Sequence, residues 1–350
     1  MLTKLFDAGC NVVRINMSHS SQEEAAAIIA DVRTLSDTVG ILLDTRGPEV
    51  RTTEVEEPVE LVAGRAVRLR GETGFTTSDV VRIDYRGLER VMEPGASILL
   101  ADGRIQLEVE TVVDSDLVCQ IVVGGTLGSK KGVNVPGVKL PMPFLSPQDI
   151  SDIKFGLRQG VDFVAASFVS EPEDVLRIRE LADEEGKEIS IISKIEARFA
   201  IKNLAEIIAV SDGLMVARGD LGVEIAAEEV PVVQKQIINA CKSVGKTVIV
   251  ATEMLESMIN NPRPTRAETS DVANAIFDGA DAIMLSAETS VGAHPIEAVS
   301  FMDRISKTVE AQIARDQVVL PGGARAKNVS DLMCKGAWLA AAELKIRAII

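Results

Sequence analysis

The stretch 189–199, ISIISKIEARF, passes from apolar to charged without a turn residue. Ile189, Ile191 and Ile192 are β-branched and apolar, as in a strand covered on both faces. Lys194, Glu196 and Arg198 follow directly. A half-solvated strand would alternate from its start. Here the charge is confined to the C-terminal end. Lys194 and Glu196 are two positions apart, so both leave the same strand face.

The same grammar recurs along the chain. Strands are predicted at Asn11–Met17, Gly40–Asp44, Val161–Ala166, Ile189–Lys194, Gly213–Ala217, Thr247–Ala251 and Asp281–Leu285. Their ends read SH, DTRGPEVR, SF, KIE, RGD, TEM and SAET. Amphipathic segments such as Pro172–Gly186 and Val230–Gly245 lie between the later ones, and a short helix is expected from Leu2 to Ala8, ending at Gly9. Strand–helix–strand repetition predicts parallel pairing and an α/β fold. Polar ends on strand after strand predict a (β/α)₈ TIM barrel, whose strand C-termini converge on the face that carries the site. An open doubly wound sheet would gather them at one switch point instead.

Residues 54–137 break this rhythm. Runs such as ELVAGRAVRLRG, RIQLEVETV and LVCQIVVGG alternate with Gly, Asp and Pro turns and show no helix signal. They predict a small all-β lid domain inserted into the barrel, which then occupies 1–53 and 138–322. A further α/β domain would begin at 323–350, with a helix near Asp331 and a strand-like IRAII at the end. Only seven barrel strands are counted. The first strand of an eight-stranded barrel is therefore expected upstream of Met1, with an open edge between Asn11–Met17 and Asp281–Leu285. A fragment unable to close its barrel, and weakly active or inactive, is the alternative functional reading.

Composition removes several classes. The formal net charge of −15 argues against nonspecific nucleic-acid binding and against an anionic membrane surface. Cys10, Cys119, Cys241 and Cys334 form no CxxC pair, and only His19 and His294 accompany them, which argues against zinc. Reduced cysteines fit a cytoplasmic protein. No apolar run approaches the ~20 residues of a membrane span, and MLTKLFDAGC lacks the apolar core of a signal peptide.

Glu196 and Asp220 follow consecutive strands, so their carboxylates can approach each other. Such a pair, with room for water and phosphate, suits Mg²⁺; taken alone it reads equally as two solvated loop acids. Lys194 reads as a catalytic cation or as the ion-pair partner of Glu196. Arg14, Arg46, Arg51 and Lys131 are candidate phosphate contacts, each of which singly reads as a surface charge. GGTLGSKKG (124–132) fits neither Walker nor GxGxxG spacing. Together the features point to magnesium-dependent phosphoryl transfer, in which positioning and charge neutralisation do most of the work.

NVVRINMSHS, LLDTRGPEVRT, GSKKGVNVPG, ISKIE, SDGLMVARGDLGVEI and the long run ending DGADAIMLSAET closely resemble the pyruvate kinase family. The resemblance implies transfer of the phosphoryl group of phosphoenolpyruvate to ADP, giving pyruvate and ATP. It implies Mg²⁺ on Glu196 and Asp220, and Lys194 stabilising the phosphoryl group. Arg14 would bind phosphoenolpyruvate, and Gly219, Asp220 and Thr252 its carboxylate, near a helix that starts after Asp220. Thr252 or Ser286, through water, would serve enolate protonation. Asn16, Ser18, Asp44 and Thr45 match potassium ligands, and Glu49 goes with dependence on that ion. Arg51, His19 and the lid residue Lys131 match nucleotide-phosphate contacts. Full-length members form homotetramers. Ala197 and Phe199 depart from the polar residue and acid usual after the metal-binding glutamate. A carbon–carbon lyase barrel is the competing enzyme class; the lid lysine argues against it, since a lyase needs no nucleotide clamp.

Overall fold

The computed structural model describes residues 1–316 and 329–344. Seven strands, Val12–Asn16, Gly40–Asp44, Phe163–Ala166, Ser190–Ile195, Gly213–Ala217, Thr247–Ala251 and Ala282–Met284, form one parallel sheet in sequence order. The expected strands are all present: Gly40–Asp44, Gly213–Ala217 and Thr247–Ala251 at the expected bounds, the other four trimmed or shifted at their ends by one or two residues. The IRAII segment lies outside the described residues. The helix expected near Asp331 spans Val329–Leu344.

Strand alternation sorts the side chains into two cores. Ile41, Leu43, Val164, Ile191, Leu214, Val216, Val248 and Val250 pack outward, in one cluster with helix residues such as Ile29, Ile178 and Ile237. Leu42, Ala165, Ile192, Met215 and Ala251 face inward and form a second, smaller cluster. Lys194 shares the parity of Ile192, so it too points into the barrel. The Gly213–Ala217 strand is buried throughout, as a wall covered on both faces should be.

The two terminal strands behave differently. Among the described residues, Val12–Asn16 and Ala282–Met284 each pair on one side only. Val12 is 44% exposed, and no residue of Ala282–Met284 is fully buried. The expected open edge is therefore present. The helices close across it. Leu2–Asp7 packs on Pro295–Asp316, and Gly9 turns there at φ 114°, where an added Cβ would lie 2.8 Å from Asp303 Oδ1.

One device recurs at the N-terminal end of the sheet. Asp162, Asp212 and Asp281 each stand just before a strand. Their backbone N–H groups donate to the carbonyls of Ile41, Ile191 and Val248 in the neighbouring strand. Their carboxylates accept from the N–H groups of the same three residues, at 2.6, 2.8 and 2.9 Å. Arg33, on helix Gln22–Leu35, and Arg179, on helix Pro172–Glu184, brace the first two of these acids at 2.8 and 2.9 Å. Each strand start is thus tied to its neighbour by a two-way clasp.

The inserted segment builds a second seven-stranded sheet and a two-stranded ribbon, with a core of its own that includes Leu69, Ile98, Leu100, Leu107 and Leu117. Val50–Arg51, ahead of the expected boundary at 54, already belongs to this sheet by pairing with Gly132–Asn134, and leads directly out of the barrel loop 45–49. The only helical turn described there is a 3₁₀ turn at Leu88–Arg90.

The clasp yields a prediction. Asp212→Ala leaves the buried Ile191 N–H without an acceptor and Arg179 without its carboxylate. It should lower the unfolding free energy by about 1–3 kcal/mol in a denaturant titration. A loss below ~0.5 kcal/mol, the usual range for a neutral surface change, would contradict this role.

Candidate active site

Lys194 enters the barrel from the inner face of Ser190–Ile195, above Ile192. Its Nζ lies 2.9 Å from Glu196 Oε1 and 3.2 Å from Asp44 Oδ1, and donates to Ser167 Oγ at 2.7 Å. Asp44 ends the Gly40–Asp44 strand and is fully buried. Its other oxygen meets Arg14 Nε at 2.5 Å, from the adjacent Val12–Asn16 strand. Four strand ends thus meet around one ammonium. Ser167 locks the arrangement, since its hydroxyl approaches Asp44 Oδ1 at 3.1 Å and Thr45 O at 2.7 Å. Phe168, at φ 56°, turns its backbone N–H onto Glu196 Oε2 at 2.6 Å.

Glu196 Oε1 is buried and receives no hydrogen bond. Lys194 is close to it, but as an ion pair without hydrogen-bond alignment. Glu196 and Asp220 line the same cleft.

The electrostatics follow from this packing. Burial alone would lower the Lys194 pKa, but Asp44 and Glu196 outweigh it and hold the ammonium above its ordinary value. Burial would raise Asp44, but Lys194 and Arg14 outweigh it and keep the carboxylate below its usual range. At Glu196 burial wins: with Asp220 beside it, and against the pull of Lys194, the carboxyl is pushed up to about 7. Asp220 is raised as well, first by burial, with Glu49 and Asp102 adding to it. Two neighbouring carboxyls that both resist ionisation, one with an unsatisfied buried oxygen, make a donor set that fits a small divalent cation.

The cleft collects most of the residues expected from the sequence. Arg14, Asn16, Ser18, His19, Thr45, Arg46, Arg51, Lys194, Glu196 and Asp220 line it, together with Glu49, Ser167 and Phe168. Arg51 does not point free: its guanidinium holds Glu49 Oε2 at 2.6 and 2.8 Å. Asn16 Oδ1 accepts from Ser18 N at 3.1 Å, and Asn16, Ser18, Asp44 and Thr45 offer only oxygen donors, as an alkali cation requires.

Five expected residues lie apart from this lining: the buried Asp44, Gly219, Lys131, Thr252 and Ser286. Lys131 is exposed at the base of the lid sheet, where its backbone pairs with Thr52. Thr252 follows the Thr247–Ala251 strand, where its Oγ1 accepts from Gly219 N at 2.7 Å. Ser286 follows Ala282–Met284, with a buried, unpaired hydroxyl. The helix expected to start after Asp220 starts at Arg218, so Asp220 stands inside its first turn. The Ala217 carbonyl end of the buried strand passes straight into helix, with no loop to carry the acid.

Sequence reasoning left several residues without a role. Ser167 and Phe168 were visible only as a polar strand end. Asp149 had a signal, the S-x-x-D of a capping box at Ser146. Beyond capping, its Oδ1 accepts from Arg46 N and Gly47 N at 3.1 and 3.2 Å and pins the loop carrying Arg46, Glu49 and Arg51.

Comparison with known proteins agrees with this geometry. Residues 1–299 match the family model for the pyruvate kinase barrel domain. A pyruvate kinase of Bacillus licheniformis is 50% identical over 338 residues, covering 94% of this chain and 57% of the relative. One of Sporosarcina psychrophila is 46% identical, covering 100% and 61%. One of Geobacillus stearothermophilus is 50% identical, covering 90% and 55%. The chain thus spans a little over half the length of these relatives. With a barrel sheet, an inserted β lid and a lysine–carboxylate cluster at the strand ends, the chain belongs to the pyruvate kinase family.

Proposed function

We propose that the chain transfers the phosphoryl group of phosphoenolpyruvate to ADP, giving pyruvate and ATP, as a cytoplasmic enzyme of glycolysis. The observation that carries this reading is the Lys194 ammonium held between Asp44 and Glu196 at the barrel mouth, with Glu196 Oε1 paired to it but left without a hydrogen bond. In the reaction the P–O bond to the enol oxygen breaks, a bond to the terminal phosphate oxygen of ADP forms, and the enolate carbon takes a proton.

Each residue has a part in this. Arg14, anchored by Asp44, binds the incoming phosphate. Lys194 meets the charge on the transferring group. Its ammonium is preorganised by buried carboxylates, so little reorganisation is needed as charge develops. Gly219 and Thr252, with Asp220, orient the substrate carboxylate. Thr252 or Ser286, through water, delivers the proton. Arg51 exchanges Glu49 for the nucleotide phosphates, with His19 at the rim and Lys131 brought in by the lid. Glu196 and Asp220 would hold Mg²⁺, which when bound neutralises charge on the phosphoryl oxygens. Asn16, Ser18, Asp44 and Thr45 would hold K⁺. Excluding water from the closed site prevents hydrolysis of the phosphoryl group. No helix among the described residues is long and apolar enough to cross a membrane.

Two outcomes test this reading. In a coupled assay with phosphoenolpyruvate and ADP, Lys194→Met should lose turnover by at least ~100-fold. The substitution also strips the counter-ion from buried carboxylates, so the melting temperature should fall. Adding Glu196→Gln should recover stability but not turnover. Near-normal turnover of Lys194→Met would overturn the assignment.

The second is a binding measurement. Titration calorimetry with Mg²⁺ alone should show one site, weakened at least tenfold by Glu196→Gln, as expected when one of only two charged ligands is neutralised. Unchanged Mg²⁺ affinity would place the metal elsewhere.

A further inference from the structure

Thr252 and Glu253 are successive non-glycine residues in the left-handed region, at φ 67° and 52°. That conformation is unfavourable for any residue with a Cβ and is an outlier for a β-branched one. It persists only where the surroundings over-determine it.

The surroundings here are two buried charges. Arg218 Nη2 donates to the carbonyls of Thr252 and Glu253 at 2.7 and 3.0 Å, and its Nε donates to Thr252 O at 3.1 Å. Its Nη1 is fixed by Asp271 at 2.7 Å, and the side chain is only 10% exposed. From the other side, the buried Glu288 accepts from Leu255 N at 3.0 Å and from Ser286 N at 2.7 Å. The turn is therefore gripped at both ends.

The grip has a product. Gly219 lies in the first turn of Arg218–Glu224, where backbone N–H groups have no intrahelical acceptor. Thr252 Oγ1 accepts that N–H at 2.7 Å and donates to Ala251 O at 2.6 Å. One residue, Arg218, thus sets the Thr252 backbone, while its neighbour Gly219 meets the Thr252 hydroxyl.

We infer that Arg218 is a positioning residue: with Asp271 and Glu288 it forces the left-handed Thr252–Glu253 turn that registers Thr252 against Gly219, and so builds the carboxylate end of the substrate site. The identity of that carboxylate rests on the function proposed above. The clamp itself does not. A lysine cannot replace the arginine, because a single ammonium lacks the planar fork that reaches two carbonyls and Asp271 together.

The test pairs Arg218→Lys with Glu253→Gly, since glycine adopts the left-handed conformation without a clamp. Glu253 is exposed and has no part in the chemistry. Arg218→Lys should raise KM for phosphoenolpyruvate at least tenfold and leave KM for ADP within twofold. Glu253→Gly alone should change neither, and in the Arg218→Lys background it should recover most of the loss. A second readout needs no turnover: hydrogen exchange at the Gly219 amide should be slow in the parent chain, faster by at least tenfold in Arg218→Lys, and slow again in the double variant. Equal rises in both KM values, or exchange at Gly219 that ignores Arg218, would overturn the inference, as would failure of Glu253→Gly to rescue. If the parent chain shows no turnover but the exchange pattern holds, the proposed reaction fails and the clamp stands.

Discussion

The site depends on one buried cation. Lys194 sits inside the barrel wall, paired with Asp44 two strands away, across Phe163–Ala166, and with Glu196 at the end of its own strand. Taking three charges out of water is costly, and the pairs repay it only if geometry and hydrogen bonding are good. Ser167 and Arg14 supply that support. Removing one partner of such a cluster typically costs about 3–5 kcal/mol, against a total domain stability of only about 5–15 kcal/mol. The cluster is therefore part of the fold as much as part of the chemistry. In this cluster Glu196 Oε1 has only the Lys194 ammonium beside it, at 2.9 Å, and no aligned hydrogen-bond donor.

The two ends of the sheet use acids in opposite ways. At the N-terminal ends, Asp162, Asp212 and Asp281 each accept a neighbouring strand's N–H and hold those strands in register. At the C-terminal ends, Glu196 and Asp220 line a cleft, and Glu196 Oε1 lacks a hydrogen bond. Stability is built at one rim and chemistry at the other. Arg14 lies on a strand with a free edge, yet its 2.5 Å contact with Asp44 ties it to the next strand inward. Its position is therefore set from the closed side of the sheet.

The barrel was legible because its strands carry one feature each at a fixed place: an apolar run and then a charge. Lys194 and Glu196 were legible because their spacing of two puts them on one face. What the sequence concealed were contacts between elements far apart in the chain. Nothing local marks Ser167 as the acceptor for Lys194, or Glu49 as the partner that occupies Arg51. Helix Arg218–Glu224 begins three residues before the expected start after Asp220, because seven residues with two glycines give too weak a periodic signal to fix a boundary. The left-handed backbone at Thr252 and Glu253 was invisible for the opposite reason. Neither residue favours it, and its cause lies in Arg218 and Glu288.

The central claim is that Lys194 carries a permanent positive charge maintained by Asp44 and Glu196. Direct titration of its side chain, by NMR of lysine-¹⁵N-labelled protein without added metal, tests this most directly. Loss of the signal in Lys194→Arg would assign it. An unperturbed lysine titrates at about 10.4. The arrangement described predicts that Lys194 stays protonated beyond that point, after the exposed lysines have lost their protons. A Lys194 that titrates at or below the ordinary value would mean that burial outweighs its two carboxylates, and that the charge at the centre of the site is not there.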